Sequence, residues 1–157
     1  MKIEKTNVMR IIDQHKIDYK SYTYDSEEAI SGMEVAKVLN ENPEQVYKTL
    51  VTVGASKQNY VFVVPVCSEL NLKKAAKAVC EKSIEMIKAK ELLPLTGYIH
   101  GGCSPIGMKK FFTTVIDETA MLWDTIIFSG GKIGYQVELG LDDLKKIIEF
   151  TLQDITD

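Results

Sequence analysis

The chain has 157 residues, 45% of them hydrophobic and 26% charged, which suits one domain able to bury a substantial core. Its longest strong apolar run, Tyr60 to Cys67, is too short to cross a bilayer, and the charged N-terminus lacks the apolar stretch of a signal peptide, so a cytoplasmic location is expected. The net charge of −3 argues against a uniformly basic nucleic-acid binder but is unevenly spread: residues 138–157 hold six acids and two lysines, while residues 73–110 hold eight lysines and three acids.

Taken in order, Val8, Ile11 and Ile12 follow helical spacing, predicting a helix from about Thr6 to His15; the Ile17 to Tyr24 stretch favours strand. Ser31-Gly32-Met33-Glu34 has capping-box spacing and opens a short helix ending near Asn40, with Met33, Ala36 and Leu39 facing the core. Val46 to Val53 reads as a strand covered on both faces, carrying Lys48 on the face of Val46 and Leu50. A lysine so placed must reach solvent, find a partner or serve a pocket.

Tyr60 to Val66 is a further strand, with Pro65 marking an edge or a strand end. Leu72, Ala75, Ala76 and Val79 give a helix one apolar face, leaving Lys73, Lys74 and Lys77 elsewhere on its surface. Ser83 to Ile87 predicts a strand and Lys88 to Leu93 a short helix. Thr113–Ile116, Thr125–Ser129 and Tyr135–Leu139 are strand-like, the last two forming a hairpin around a glycine-rich connection. Leu141, Leu144, Ile147, Ile148 and Thr151 suit a closing amphipathic helix. The pattern is that of an α/β domain with a mixed sheet.

Gly101-Gly102-Cys103-Ser104-Pro105-Ile106-Gly107 packs three glycines and a proline into seven residues, a loop of shaped backbone and little side-chain bulk suited to receiving a ligand. The amides of Gly101 and Gly102 could stabilise an oxyanion, though purely structural turn glycines would look the same. Cys103 near His100 suggests a thiol and base, but a separation of three in an irregular loop carries little geometric information, and a packing or pocket-wall role is favoured for Cys103. Cys67 and Cys80 are expected as small buried hydrophobes. With three scattered cysteines and two histidines, neither a disulfide framework nor a metal site is expected, and no cofactor is called for. The adjacent acids Asp117-Glu118 and Asp142-Asp143 read as solvated surface groups, and neither glycine-rich stretch has P-loop spacing.

Together with this loop, the segments Thr23-Tyr24-Asp25, Val46-Tyr47-Lys48-Thr49-Leu50, Leu70-Asn71-Leu72-Lys73-Lys74-Ala75, Glu85-Met86 and Ser129-Gly130-Gly131-Lys132-Ile133-Gly134 occur in an order that resembles the YbaK family. Those proteins are freestanding bacterial deacylases of mischarged prolyl-tRNA, similar to the editing domain inserted in many bacterial prolyl-tRNA synthetases. The likeness spans nearly the whole chain, 1–157, as one editing domain. It implies a curved, barrel-like mixed sheet surrounded by helices. It implies removal of cysteine from the acceptor end of Cys-tRNA(Pro), with an essential lysine at Lys48. The substrate's own thiol would attack its carbonyl and expel the ribose oxygen, so that the enzyme needs no nucleophile. Gly101 and Gly102 would hold the carbonyl, and Tyr24, Thr49, Ser104, Ser129 and Lys132 would bind or orient the substrate. Ile133 stands where the family often has arginine, which puts tRNA contacts there in question. An Ala-tRNA(Pro) deacylase using a positioned water, or a non-catalytic tRNA- or synthetase-binding module, are the alternatives. A complex with prolyl-tRNA synthetase is a further implication of the resemblance.

Overall fold

The computed structural model describes residues 4–25 and 30–157. Helix α1 spans Asn7–Gln14, and the hydroxyl of its N-cap Thr6 accepts from the Met9 amide at 3.2 Å. Strand β1 covers Lys20–Thr23, and helix α2 Gly32–Val38. The capping box is formed: the Ser31 hydroxyl accepts from the Glu34 amide at 3.2 Å, and the Glu34 carboxylate accepts from the Ser31 amide. The buried face of α2 is Val35 and Ala36, whereas the expected core residue Met33 is 45% exposed. A helix of seven residues against a sheet buries only a narrow stripe, and Met33 falls outside it.

Strands β2 (Tyr47–Gly54) and β3 (Asn59–Pro65) form a hairpin, followed by α3 (Leu72–Ala78), β4 (Ile84–Met86), α4 (Ala89–Thr96) and β5 (Thr113–Asp117). Pro65 sits at the end of its strand, where its missing N–H costs no ladder bond. A second hairpin, β6 (Ile126–Ser129) and β7 (Tyr135–Leu139), precedes the single turn α5 (Leu141–Leu144) and strand β8 (Thr151–Gln153). The expected closing helix therefore stops early. Thr151, Leu152 and Gln153 pair in parallel with Val115, Ile116 and Asp117, so sheet pairing takes a stretch whose apolar spacing suggested helix.

Five strands form a mixed sheet in the order β4-β2-β3-β5-β8, and three form an antiparallel sheet in the order β1-β7-β6. An isolated parallel bridge, Val46 to Ile127, connects them. The architecture is a single α/β domain with two sheets that do not close into a barrel. Central β3 is buried on both faces: Val61 and Val63 join the main core with Val8, Met9, Ile12, Phe128 and Val137, while Tyr60, Phe62 and Val64 pack with Ala75 and Ala76 of α3. Strand β2 departs from its expected double cover, because Lys48, Thr49 and Leu50 are only partly buried.

Two surface assignments reverse. Cys67 and Cys80 are exposed rather than buried; both lie in turns that follow a secondary element, outside the sheets that fill the core. Asp117 is 1% exposed, and its carboxylate accepts from the Thr119 hydroxyl at 2.6 Å and from the Ile155 amide at 3.1 Å. It pins the C-terminal segment to β5, which is how a buried acid is satisfied.

Candidate active site

A cleft of about 620 Å³ opens where β2, α2, α4, the glycine loop and the β6–β7 hairpin meet. Its position follows from a gap in the strand ladder. The Val66 amide donates to the Val46 carbonyl at 2.8 Å and the Gly54 amide to the Gln58 carbonyl at 2.8 Å, so even-numbered residues of β2 bond to β3. Odd-numbered residues turn their backbone groups the other way. There the Ile87 amide reaches the Val51 carbonyl, at 3.3 Å, and one residue pair further the chain leaves the ladder and enters α4 at Ala89. On the far side, Ile127 of β6 bridges Val46, the residue just before β2. Thr49 lies between the two, with its backbone N–H and C=O facing the gap, and its hydroxyl is shut from solvent without a hydrogen-bond partner. Unpaired polar groups of this kind at a cleft wall suit a bound ligand.

Lys48 lines the same wall. Its side chain is 30% exposed, and its Nζ lies 3.9 Å from Glu69, a carboxylate 84% exposed. That pair is too long and too wet to fix the ammonium strongly. Tyr24, whose amide donates to the Gly134 carbonyl at 3.0 Å, also lines the cleft. So do Ser129 and Gly101. Ser129 is partly committed already, since its hydroxyl accepts from the Gly131 amide at 3.1 Å. Gly131 has φ +93°, and a Cβ there would stand 2.6 Å from a methyl of Val8, so glycine is required where the hairpin turn meets α1.

The glycine loop is built from within. The Tyr98 hydroxyl donates to the Ile106 carbonyl, and the Ser104 hydroxyl accepts from the Ile106 amide at 3.3 Å. Ser104 is fully buried and does not line the cleft; its expected place at the substrate yields to this internal bond. Gly102 is likewise structural. Its amide donates to the Ile99 carbonyl at 3.0 Å, and a Cβ would stand 3.1 Å from the Ile133 nitrogen, so it lets two loops touch. Of the two glycines read as oxyanion donors, Gly101, with φ +90° and no protein acceptor for its amide among the described residues, is the one at the cleft. Lys132 is exposed and lies outside the cleft wall, 3.8 Å from Glu4 and over the Tyr135 ring.

Cys103 and His100 both line the cleft. Burial pushes the Cys103 thiol up to about 12, which leaves it protonated at neutral pH and poorly nucleophilic. Among the described residues no three His, Cys, Asp or Glu side chains gather as a metal site, and no helix is long and apolar enough to cross a membrane.

Sequence reasoning missed the rest of the wall. Met33 of α2, Met86 of β4 and Leu92 of α4 give it an apolar side, and Gln136 of β7 a polar one. Alternation in β7 marks Gln136 as outward from the main core, but only the second sheet's meeting with β2 reveals that it is 5% exposed with an unpartnered Oε1.

Residues 27–147 match the model of the aminoacyl-tRNA editing domain, and the chain belongs to that family. An Enterococcus faecalis protein named "Putative Cys-tRNA(Pro)/Cys-tRNA(Cys) deacylase EbsC" is 45% identical over 154 residues, covering 98% of this chain and 94% of that protein. Among solved structures, the hypothetical protein APE2540 superposes with a TM-score of 0.85 at 20% identity, over 98% of this chain and 100% of its own. A "putative trans-editing enzyme for prolyl tRNA synthetase" superposes with a TM-score of 0.83 at 20% identity, over 98% and 99%. At these identities the two structures establish the shared fold.

Proposed function

We propose that the chain is a trans-editing deacylase that removes cysteine from Cys-tRNA(Pro), with residues 1–157 acting as one editing domain in the cytoplasm. The observation that carries this reading is the composition of the cleft: a lysine, an unpaired strand edge and a loop amide converge on it, while its thiol is held protonated. Such a site positions and polarises an ester without attacking it.

In the proposed reaction the substrate's thiol sulfur attacks the ester carbonyl carbon and the bond to the ribose oxygen breaks. The thiol proton passes to that oxygen, regenerating the tRNA hydroxyl, and water later opens the released thiolactone to cysteine. Lys48 anchors the terminal nucleotide or offsets the developing negative charge. The Gly101 amide and the Thr49 edge hold the carbonyl, and Tyr24 and Ser129 border the aminoacyl group. The relative's printed name includes Cys-tRNA(Cys), which supports recognition of the aminoacyl group more than of the tRNA body. A partner such as prolyl-tRNA synthetase would then supply tRNA choice by holding the acceptor end close.

The test is deacylation of separately charged Cys-tRNA(Pro), Cys-tRNA(Cys), Ala-tRNA(Pro) and Pro-tRNA(Pro) by the purified protein. Cysteinyl esters on both tRNAs should be cleaved, and alanyl and prolyl esters far more slowly. Equal cleavage of Ala-tRNA(Pro) would remove the thiol step in favour of a positioned water. Binding without turnover would leave a tRNA-binding module.

A further inference from the structure

Gln136 sits in the middle strand of the three-stranded sheet, opposite Tyr22 of β1 and Ser129 of β6, so its backbone is fixed from both sides. Its side chain lines the cleft and is 5% exposed, yet Oε1 has no hydrogen-bond partner. Leaving a buried carbonyl unpaired is costly, and within a ligand cleft the natural partner is a donor on the ligand.

The surroundings specify what kind of donor. Beside Gln136 stands Glu41, whose two carboxylate oxygens are both shut from solvent and unpartnered at hydrogen-bond geometry. Burial raises the Glu41 carboxyl above its usual range, the nearby Gln136 amide works against that rise, and Glu138 adds to it. An amide beside a carboxylate turns its NH2 toward the negative oxygens, which leaves its carbonyl oxygen for the opposite side; amide orientation follows the hydrogen-bonding neighbours in this way. Glu138, two residues along the same face of β7, is already held by the hydroxyls of Tyr22, at 2.5 Å, and Thr125. Gln136 thus brings an unpartnered acceptor to the cleft wall in the company of two carboxyl groups, a setting that favours a cationic donor over a neutral one.

We propose that Gln136 reads the α-ammonium group of the aminoacyl ester, its Oε1 accepting one of the three N–H bonds, so that the cleft admits free aminoacyl esters and rejects those whose amine is acylated. The inference rests on the deacylase reading above. It assigns to the cleft a second selectivity, independent of the side chain being removed: peptidyl and other N-blocked esters, which carry the same ester bond but no ammonium, are spared.

The experiment compares kcat/KM for Cys-tRNA(Pro) and N-acetyl-Cys-tRNA(Pro) in the wild type, Gln136→Leu and Gln136→Glu. A hydrogen bond to a charged group is worth about a factor of ten or more in such a ratio. The wild type should prefer the free amine by at least about tenfold. Gln136→Leu, which removes the acceptor without leaving a buried polar group unpaired, should lose most of that preference, chiefly by slowing the free-amine substrate. Gln136→Glu, which keeps an acceptor, should retain the preference. Should Gln136→Leu fail to fold, Gln136→Met serves the same purpose with a flexible apolar stem. A wild type that cleaves both esters equally, or a folded apolar variant with an unchanged preference, overturns the inference while leaving the deacylase reading in place. A wild type that cleaves neither ester overturns the deacylase reading, and the inference with it.

Discussion

Replacing Lys48 by methionine separates a positioning role from a structural one. The change keeps most of the unbranched stem that packs along β2 and deletes only the charge. The ammonium's one ionic partner among the described residues is Glu69 at 3.9 Å, and that carboxylate is 84% exposed. Coulomb attraction at this separation in water is about 1 kcal/mol, and exposed pairs deliver less than that once side-chain ordering and salt are counted. Lys48→Met should therefore lower the melting temperature by no more than about 4 °C. The effect on turnover should be far larger, because the loss of one group that holds or neutralises the reacting ester costs on the order of a hundredfold in kcat. The assay is release of labelled cysteine from Cys-tRNA(Pro) under single-turnover conditions, beside a thermal melt. Glu69→Gln serves as the control and should leave both quantities nearly unchanged. A folded Lys48→Met that keeps more than about half the wild-type rate, or a Glu69→Gln that loses as much rate as Lys48→Met, would refute a positioning role for the ammonium.

Cys103→Ala should retain most of the activity on Cys-tRNA(Pro), and alkylation followed by mass spectrometry at neutral pH should modify exposed Cys67 and Cys80 well before Cys103, whose thiol is pushed up to about 12. An inactive, folded Cys103→Ala protein would restore the loop thiol as the nucleophile. Glu41 has a folded pKa above its unfolded value, so its ionisation costs stability that is fully felt above the folded pKa and recovered as pH falls through it. Glu41→Gln should accordingly melt higher than the wild type at neutral pH, with the difference shrinking toward about pH 4, near the unfolded value for a glutamate; a constant difference across that range would contradict the desolvation argument. Lys74 is tied to Asp154 at 3.0 Å and to the Thr156 carbonyl at 2.7 Å, whereas Lys73 and Lys77 are exposed on α3. Charge reversal at Lys73 or Lys77 should raise KM for tRNA and flatten its dependence on salt with little change in kcat, and a KM already independent of salt in the wild type would exclude this region as a phosphate-binding face.

Local interactions made much of the fold legible in the sequence. The capping box at Ser31 and Glu34, the strand end at Pro65 and the hairpin around Gly130-Gly131 depend on residues a few positions apart, and each formed where its pattern lay. Lys48 stood out for the same reason, as a charge within a strand. Long-range pairing decided the rest. Thr151–Gln153 became a strand because β5 offered an edge, and Asp117 was buried because the Ile155 amide, distant in sequence, needed an acceptor. Ser104 and Gly102 left the list of substrate contacts once their bonds to Ile106 and Ile99 were seen, although turn chemistry alone could not say which loop groups stay free. Thr49 and Gln136 gained their meaning from the gap between β4 and β6 and from the carboxylate of Glu41, neighbours that only the packed sheets bring together. A sequence records which groups can make hydrogen bonds; which of them are left without a partner, and so remain for a ligand, is a property of the whole tertiary arrangement.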